Sequence, residues 1–572
     1  MKFTRRDALA SGLFASAASC ARSTPVASFA ARTDPIGGLF AHGVASGDPA
    51  HNSVVLWTRV TVDTPLATIE VEWETSNDER FAQINARGKF ETGPARDWTV
   101  KILLEDLQPD ETVFYRFRVN NVTSIIGRAR TLPEGAVETA RFAAISCSNF
   151  PFGYFNVYDL IARQDDLNAV IHLGDYIYEY STDGYGGDTG TQLGRNHSPT
   201  HEINTLDDYR TRHGQYKSDP SAQMMHAMHP MIAIWDDHET ANDSWRDGAE
   251  NHDNTEGTWN ARRRAALQAY YEWMPIRDPL PGKLSESLFR SYSFGDLLTI
   301  TAIETRLMAR AKQFQYSEIL PKLNSKTDVD EFLNTTLWDT SREILGTEQL
   351  AFIKNAFQKS VADKQPWRVV ANQITMARVT APDLNPHVTE EEIEELQADW
   401  DQGRAFVETS ALGLPSNFDA WDGYPAAREK FYDTVRDTGS DGMIVITGDT
   451  HTWWANDLIA RKGDHMGVEL GTHSVTSPSP YAKSFLNGRG AEYALLTNQL
   501  NSDVRYLNGE NHGFIDLTIT KKRARALFVG VDTIESPRYS ASTKVAFDIK
   551  KTKRGVTFSN ADGLTLKENF LF

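Results

Sequence analysis

Five short apolar runs in this chain each stop at a residue able to bind a metal. Phe142-Ala143-Ala144-Ile145 runs into Ser146-Cys147, and Val170-Ile171-His172-Leu173-Gly174 into Asp175, with Tyr178 three residues on. Met231-Ile232-Ala233-Ile234-Trp235 ends at Asp236-Asp237-His238-Glu239, and Val369-Val370-Ala371 at Asn372. Met443-Ile444-Val445-Ile446-Thr447-Gly448 ends at Asp449-Thr450-His451. Apolar runs of this length, bounded by turn signals, predict strands buried on both faces. In open α/β sheets, ligands bind beyond the carboxyl ends of the strands. Five such strands in one sheet would bring a thiol, carboxyls, a phenol, an amide and two imidazoles to one rim. That assembly predicts a metal-dependent hydrolase.

The pattern before residue 135 is different. Val54–Val60, Ile69–Glu74 and Thr112–Val119 are strand-like, and the last two alternate polar with apolar positions. Turn residues separate them at short spacing, which predicts an all-β Ig-like or fibronectin-like sandwich over 38–135. Leu132-Pro133-Glu134-Gly135 reads as a linker. From 140 to 572 strands alternate with helical patterns, as in an α/β layered catalytic domain. Thr258–Trp273 is one such helix, with Arg262, Arg263 and Arg264 on its polar side, and Thr347–Phe357 is another. The Gly-, Asp-, Asn- and Pro-rich segments 181–220 and 378–425 read as long surface excursions.

Composition adds limits. At 572 residues the chain exceeds one ordinary domain, and 40% apolar with 24% charged residues is a folded, soluble composition. A net charge of −18 argues against nucleic acid as a stable partner and disfavours an endonuclease. It also repels anionic substrates at long range, so bound cations would have to reverse the local field. Arg5-Arg6 followed by the Ala/Ser-rich stretch Ala8–Ala18 predicts a Tat-type signal within 1–33, hence use of the Tat export machinery and a periplasmic or secreted location. Cys20 could carry a lipid anchor, but Ala17 stands where a lipobox prefers Leu. Cys147 is the second of two cysteines. A lone thiol in an oxidising compartment is stable only buried or metal-bound, and its place at a strand end points to a ligand.

The donors at the strand ends suggest which ions. A thiolate from Cys147 and a phenolate from Tyr178, together with a carboxylate and an imidazole, favour a trivalent ion, so Fe(III) is expected. The oxygens of Asp237, Asn372 and Asp449 suit calcium or magnesium. Two cations sharing a carboxylate could clamp a phosphoryl group and generate a hydroxide nucleophile. His238 is placed to bond the phosphate or protonate the leaving group. Arg306, closing the run Leu298–Ile303, could grip phosphate bidentately or form an ion pair with Glu304 or another acid. Cys147 does not fit a nucleophile. A cysteine phosphatase would want Arg where Gly153 stands, and Cys147-Ser148-Asn149-Phe150-Pro151 is not Cys-x-Pro-x-Arg.

Taken in order, several blocks resemble the PhoD-type alkaline phosphatase family, related to the purple acid and calcineurin-like metallophosphatases. They are Gly43–Pro49, Val55–Arg59, Ser146-Cys147, Gly174–Glu179, Trp235–Glu239 with Asn242, Tyr270–Pro275, Asn372-Gln373 and Thr447–Trp454. The resemblance implies a four-layer αββα core, one iron with one or two calcium ions, and phosphate monoesters and some diesters as substrates. It implies that Cys147, Asp175, Tyr178 and His451 hold iron, and that Asp175 bridges to a calcium completed by Asp237, Asn372 and Asp449. Relative to purple acid phosphatases, Cys147 replaces an aspartate and Asp449 a histidine, changes that suit calcium and alkaline conditions. Glu304-Thr305-Arg306 departs from the family's Asp-Thr-Arg, and the segment from Ser536 matches less well. The expected enzyme is an alkaline phosphatase. A phospholipase D-type phosphodiesterase, acting on a phospholipid or other diester, would share the same ligands. A non-catalytic metal- or phosphate-binding protein would not need His238 beside a full ligand set.

Overall fold

The computed structural model describes residues 28–33, 37–62, 68–399, 403–481, 488–553 and 555–560. The twin-arginine segment and Cys20 lie outside them.

The apolar runs form strands, but in two sheets rather than one. In the first, Thr139–Ile145, Ala169–His172 and Pro230–Ala233 lie side by side and parallel. In the second, Leu298–Ala302, Trp367–Ala371 and Met443–Thr447 do the same. The two sheets pack face to face. Phe142, Ala144, Ile171 and Ile232 of one meet Ile300, Val369, Ile444 and Ile446 of the other in a common core. Alternate residues point the opposite way. Ala143, Ile145, Val170 and Met231 pack under helices Asn156–Ala162, Leu206–Lys217, Pro220–Met228 and Trp259–Trp273. Val370, Met443 and Val445 pack under Gly346–Ala362 and Pro425–Asp437. The result is the four-layer αββα core. A strand covered by helices on one face and by a sheet on the other is apolar at every position, so its hydropathy does not say which sheet it joins.

The N-terminal region forms a β-sandwich whose two halves differ in kind. Ile69–Ser76, Ala86–Thr92, Thr112–Val119, Val122–Thr123 and Gly127–Arg130 make a separate small sheet. Its facing sheet, Val44–Gly47, Val54–Arg59 and Thr99–Leu104, continues the first catalytic sheet, because Ser46 and Gly47 pair in parallel with Pro230 and Met231. Val44, Leu56, Val100, Val71, Tyr115 and Phe117 fill the sandwich core. Burying each large apolar side chain there stabilises the packing by about 1.5–3 kcal/mol.

Three local expectations change. Arg262 is buried rather than on a polar face: its guanidinium donates to Tyr209 Oη, Asn251 O, Glu256 and Glu202. The 181–220 and 378–425 excursions carry helices, among them Gly187–Leu193, Leu206–Lys217 and Glu390–Asp399. The segment from Ser536 extends the first sheet as strand Arg538–Thr552, pairing with Arg523–Val531. No helix among the described residues is long and apolar enough to cross a membrane.

Candidate metal centre

All six parallel strands end at the same place, and the loops that follow are knitted together there. Cys147 N–H donates to Gly174 O, and Ser148 N–H to Asp175 O, within the first sheet. Across the sheets, Val475 N–H donates to Ser146 O, and Thr476 and Ser477 N–H to Cys147 O. The approach is close. A Cβ on Gly448 would come within 2.5 Å of Ser146 Oγ, and one on Gly174, whose φ is +111°, within 2.6 Å of Asp236 N. Cys147, Asp175, Asp449 and His451 each hold left-handed backbone, with φ of 61°, 56°, 63° and 50°. Non-glycine residues adopt this conformation at a cost, and such residues gather at functional sites. Here the turn aims each side chain back over its strand end.

Three ligand groups result, each with donor atoms within 4.8 Å of one another: Cys147, Asp175 and His451; Asp175, Asp237 and His238; Asp236, Asp237 and Asp449. Tyr178 joins the first. Its hydroxyl lies 3.1 Å from Asp175 Oδ2 and 3.2 Å from His451 Nε2, and accepts from Ser477 Oγ at 2.7 Å. His451 Nδ1 donates to Pro478 O at 3.0 Å, so Nε2 faces the cluster with a lone pair. Burial pushes His451 down to about 3, which keeps it neutral as a ligand must be.

The electrostatics call for added positive charge. Burial, followed by the charge of Asp175, raises the Cys147 thiol well above its ordinary value. Tyr178 rises for the same two reasons, and Asp175 and Asp449 rise through burial first. Burial also lifts Asp236 to about 7. Asp175 Oδ1, Asp236 Oδ2 and Asp237 Oδ1 are buried without a hydrogen-bond partner, an arrangement that costs free energy unless a cation is bound. These residues therefore fit metal ions.

The other predicted residues take particular places. Asn372 stands at its strand end, but its amide donates to Ile374 O at 2.6 Å and its Oδ1 accepts from the Trp421 indole at 3.3 Å. His238 is buried with Nδ1 2.8 Å from Glu179 Oε2, its ring 4.2 Å from that of Tyr178. Glu179 is itself held by Asn242 N–H and Asn251 Nδ2. Arg306 is fully buried, and its guanidinium is committed to acids: Asp236 through Nε, Asp419 at 2.7 Å through Nη1, and Asp449 at 3.1 Å through Nη2. Of the two roles open to it, the geometry shows the ion pair, with aspartates rather than the Glu304 carboxylate. Glu304 instead accepts from the backbone of Arg306, Leu307 and Met308.

Other contributors fall outside the predicted site residues. Asp419 lies 113 residues from Arg306 inside a long loop, and only the fold pairs them. Glu239, accepting from the N–H groups of Asp175, Tyr176 and Asp236, clamps two ligand loops together. Ser477 follows a further strand of the second sheet, His465–Gly471. The run Thr472–Ser477 after it, polar except for Val475, was the available clue.

Comparison with known proteins places the chain in a family. The family model for the PhoD-like phosphatase matches residues 142–528, and that for the PhoD-like phosphatase N-terminal domain matches residues 26–133. Alkaline phosphatase D of Bacillus subtilis (strain 168) is 32% identical over 531 residues, covering 90% of this chain and 82% of the relative. A solved structure described as that of PhoD superposes with a TM-score of 0.75 at 29% identity, over 93% of this chain and 94% of that one. The chain belongs to the PhoD-like phosphatase family. It is a phosphatase, and so a hydrolase.

Proposed function

We propose that this phosphatase is an exported, metal-dependent enzyme that hydrolyses phosphate monoesters, and some diesters, under alkaline conditions at an iron–calcium centre. The observation that carries the reading is the sharing of carboxylates. Asp175 belongs to the group with Cys147 and His451 and also to the group with Asp237 and His238; Asp237 in turn belongs to the group with Asp449. Adjacent ligand sets linked by common acids are what two neighbouring cations need.

Cys147, Asp175, Tyr178 and His451 would hold iron, as their donor types suit a trivalent ion. Asp175, Asp237 and Asp449 would supply oxygens to one or two calcium ions, or to magnesium. Asn372 would join them only by giving up the bond from the Trp421 indole. Bound there, the ions would supply positive charge that polarises phosphoryl oxygens and acidifies water. The protein's own residues do the rest. His238 Nε2 makes no hydrogen bond among the described residues, which leaves it for a phosphoryl oxygen or the departing alkoxide. Glu179 fixes the ring and its charge. Arg306 acts as a positioning residue, holding Asp236 and Asp449 against their mutual repulsion. The Arg5-Arg6 segment would send the folded, loaded protein through Tat-type export to the periplasm or the medium.

Elemental analysis of the exported protein, with parallel monoester and diester assays across pH, tests the reading. Iron with calcium and alkaline monoester turnover is the expected result. Zinc alone, or full activity in a metal-free protein, would overturn it.

A further inference from the structure

Beyond the ligand groups, a wall of rings leads from the buried centre to solvent. Tyr178 and His238 form its base. Tyr180 lies 5.5 Å from His238, and Tyr185 lies 5.6 Å from Tyr180 and 6.3 Å from Tyr178, ring centre to ring centre. Phe152 backs Tyr185 edge-on at 4.8 Å. Tyr185 is the outermost of these rings and is 36% exposed, while Tyr178 is fully buried. Burial first, then the charges of Cys147 and Asp175, raises the Tyr185 phenol. Neither the Tyr185 nor the Tyr180 hydroxyl makes a hydrogen bond among the described residues. Tyr185 also stands in Gly184-Tyr185-Gly186-Gly187, so its immediate sequence neighbours bring no side chain over the ring.

An isolated exposed aromatic needs no explanation. This one is held by other rings, directly beside a candidate ligand and one ring from His238. A flat apolar face with a polar tip, fixed at the mouth of a charged centre, receives planar groups by stacking. The charged phosphoryl group would sit on the centre, and the ester's alcohol portion would project outward along the rings.

We propose that Tyr185 forms the leaving-group subsite and selects esters whose alcohol portion is aryl or heteroaryl. This inference rests on the function proposed above and adds the substrate class.

The test is kcat/KM of the metal-loaded full chain and of Tyr185→Ala and Tyr185→Phe, on p-nitrophenyl phosphate and on glycerol 2-phosphate. Comparing variants on each ester cancels the intrinsic difference in leaving-group reactivity. Tyr185→Ala is expected to lose about tenfold on the aryl ester, chiefly through KM, and under about twofold on the alkyl ester. Tyr185→Phe should retain the aryl preference, since it keeps the ring. An equal loss on both esters, or none on either, overturns the subsite while leaving the phosphatase reading intact. Wild-type turnover of neither ester would overturn that reading and this inference with it.

Discussion

His238 Nδ1 lies 2.8 Å from Glu179 Oε2, and both side chains are buried. Burial alone would drive the proton off this imidazole, but Asp237, Glu179 and Asp175 together hold it well above its ordinary range. Glu179 is kept low against its own burial by His238, Asn251 and Arg262. A histidine raised in this way stays protonated as pH climbs and loses its proton only above the usual imidazole range. Cations held by Asp175 and Asp237 would offset two of those charges, which leaves Glu179 as the one that keeps His238 an acid in the loaded enzyme.

Glu179→Gln removes one of the charges that hold that proton. The alkaline limb of the kcat profile should move to lower pH, with kcat reduced by about 10²-fold at alkaline pH and metal content unchanged. An unmoved limb with full turnover would take His238 out of the chemistry.

Cys147→Ala should lose iron and activity together. The N-terminal sandwich should stay folded, because its core of Val71, Tyr115 and Phe117 is separate from the centre. Metal analysis alongside circular dichroism separates the two effects. A fully active, iron-free variant would sink the ligand assignment.

Arg306→Ala leaves buried Asp236 and half-buried Asp449 without their shared cation, while Asp419 keeps Arg310. Removing one partner of a buried charge pair typically costs about 3–5 kcal/mol. The urea midpoint should fall by a corresponding amount and recover in part with added calcium, which would replace the lost charge. A midpoint equal to wild type would mean these contacts contribute nothing to the native state.

His213 lies between Trp273 and Tyr176, with both ring nitrogens buried and unpartnered. Burial, then Lys217 and Arg212, hold it at about 3. In the unfolded chain it titrates near 6.5, so below that pH the unfolded state binds the extra proton. Its unfavourable contribution therefore grows as pH falls from 6.5 towards 3. His213→Phe should raise stability by on the order of 2 kcal/mol more at about pH 5 than at about pH 7. Equal changes at both pH values would contradict a neutral, desolvated imidazole.

Several residues of the candidate centre were legible in the sequence: Cys147, Asp175, Tyr178, Asp237, Asp449 and His451 each lie at or just beyond the end of an apolar run, and the fold brings their donor atoms together. Strand limits were read closely too: Thr112–Val119 is the observed strand. Arg262 was misread because its neighbours Arg263 and Arg264 suggested one solvated face, whereas a helix turns 100° per residue and places adjacent side chains on different faces. Asn372 was legible as a strand-end residue, but the partner of its amide, Trp421, was not.

What the chain determined by itself was local: which segments are strands, where each stops, and which donor follows. Those properties depend on side-chain type and on spacing within a few residues. Tertiary structure alone decided that the strands divide between two facing sheets, that Asp419 reaches Arg306, that Glu179 charges His238, and that Tyr185 closes a wall of rings. Each of these joins residues far apart in the chain. Such pairings arise from how the layers pack, and a strand buried on both faces bears no mark of which neighbour will cover it.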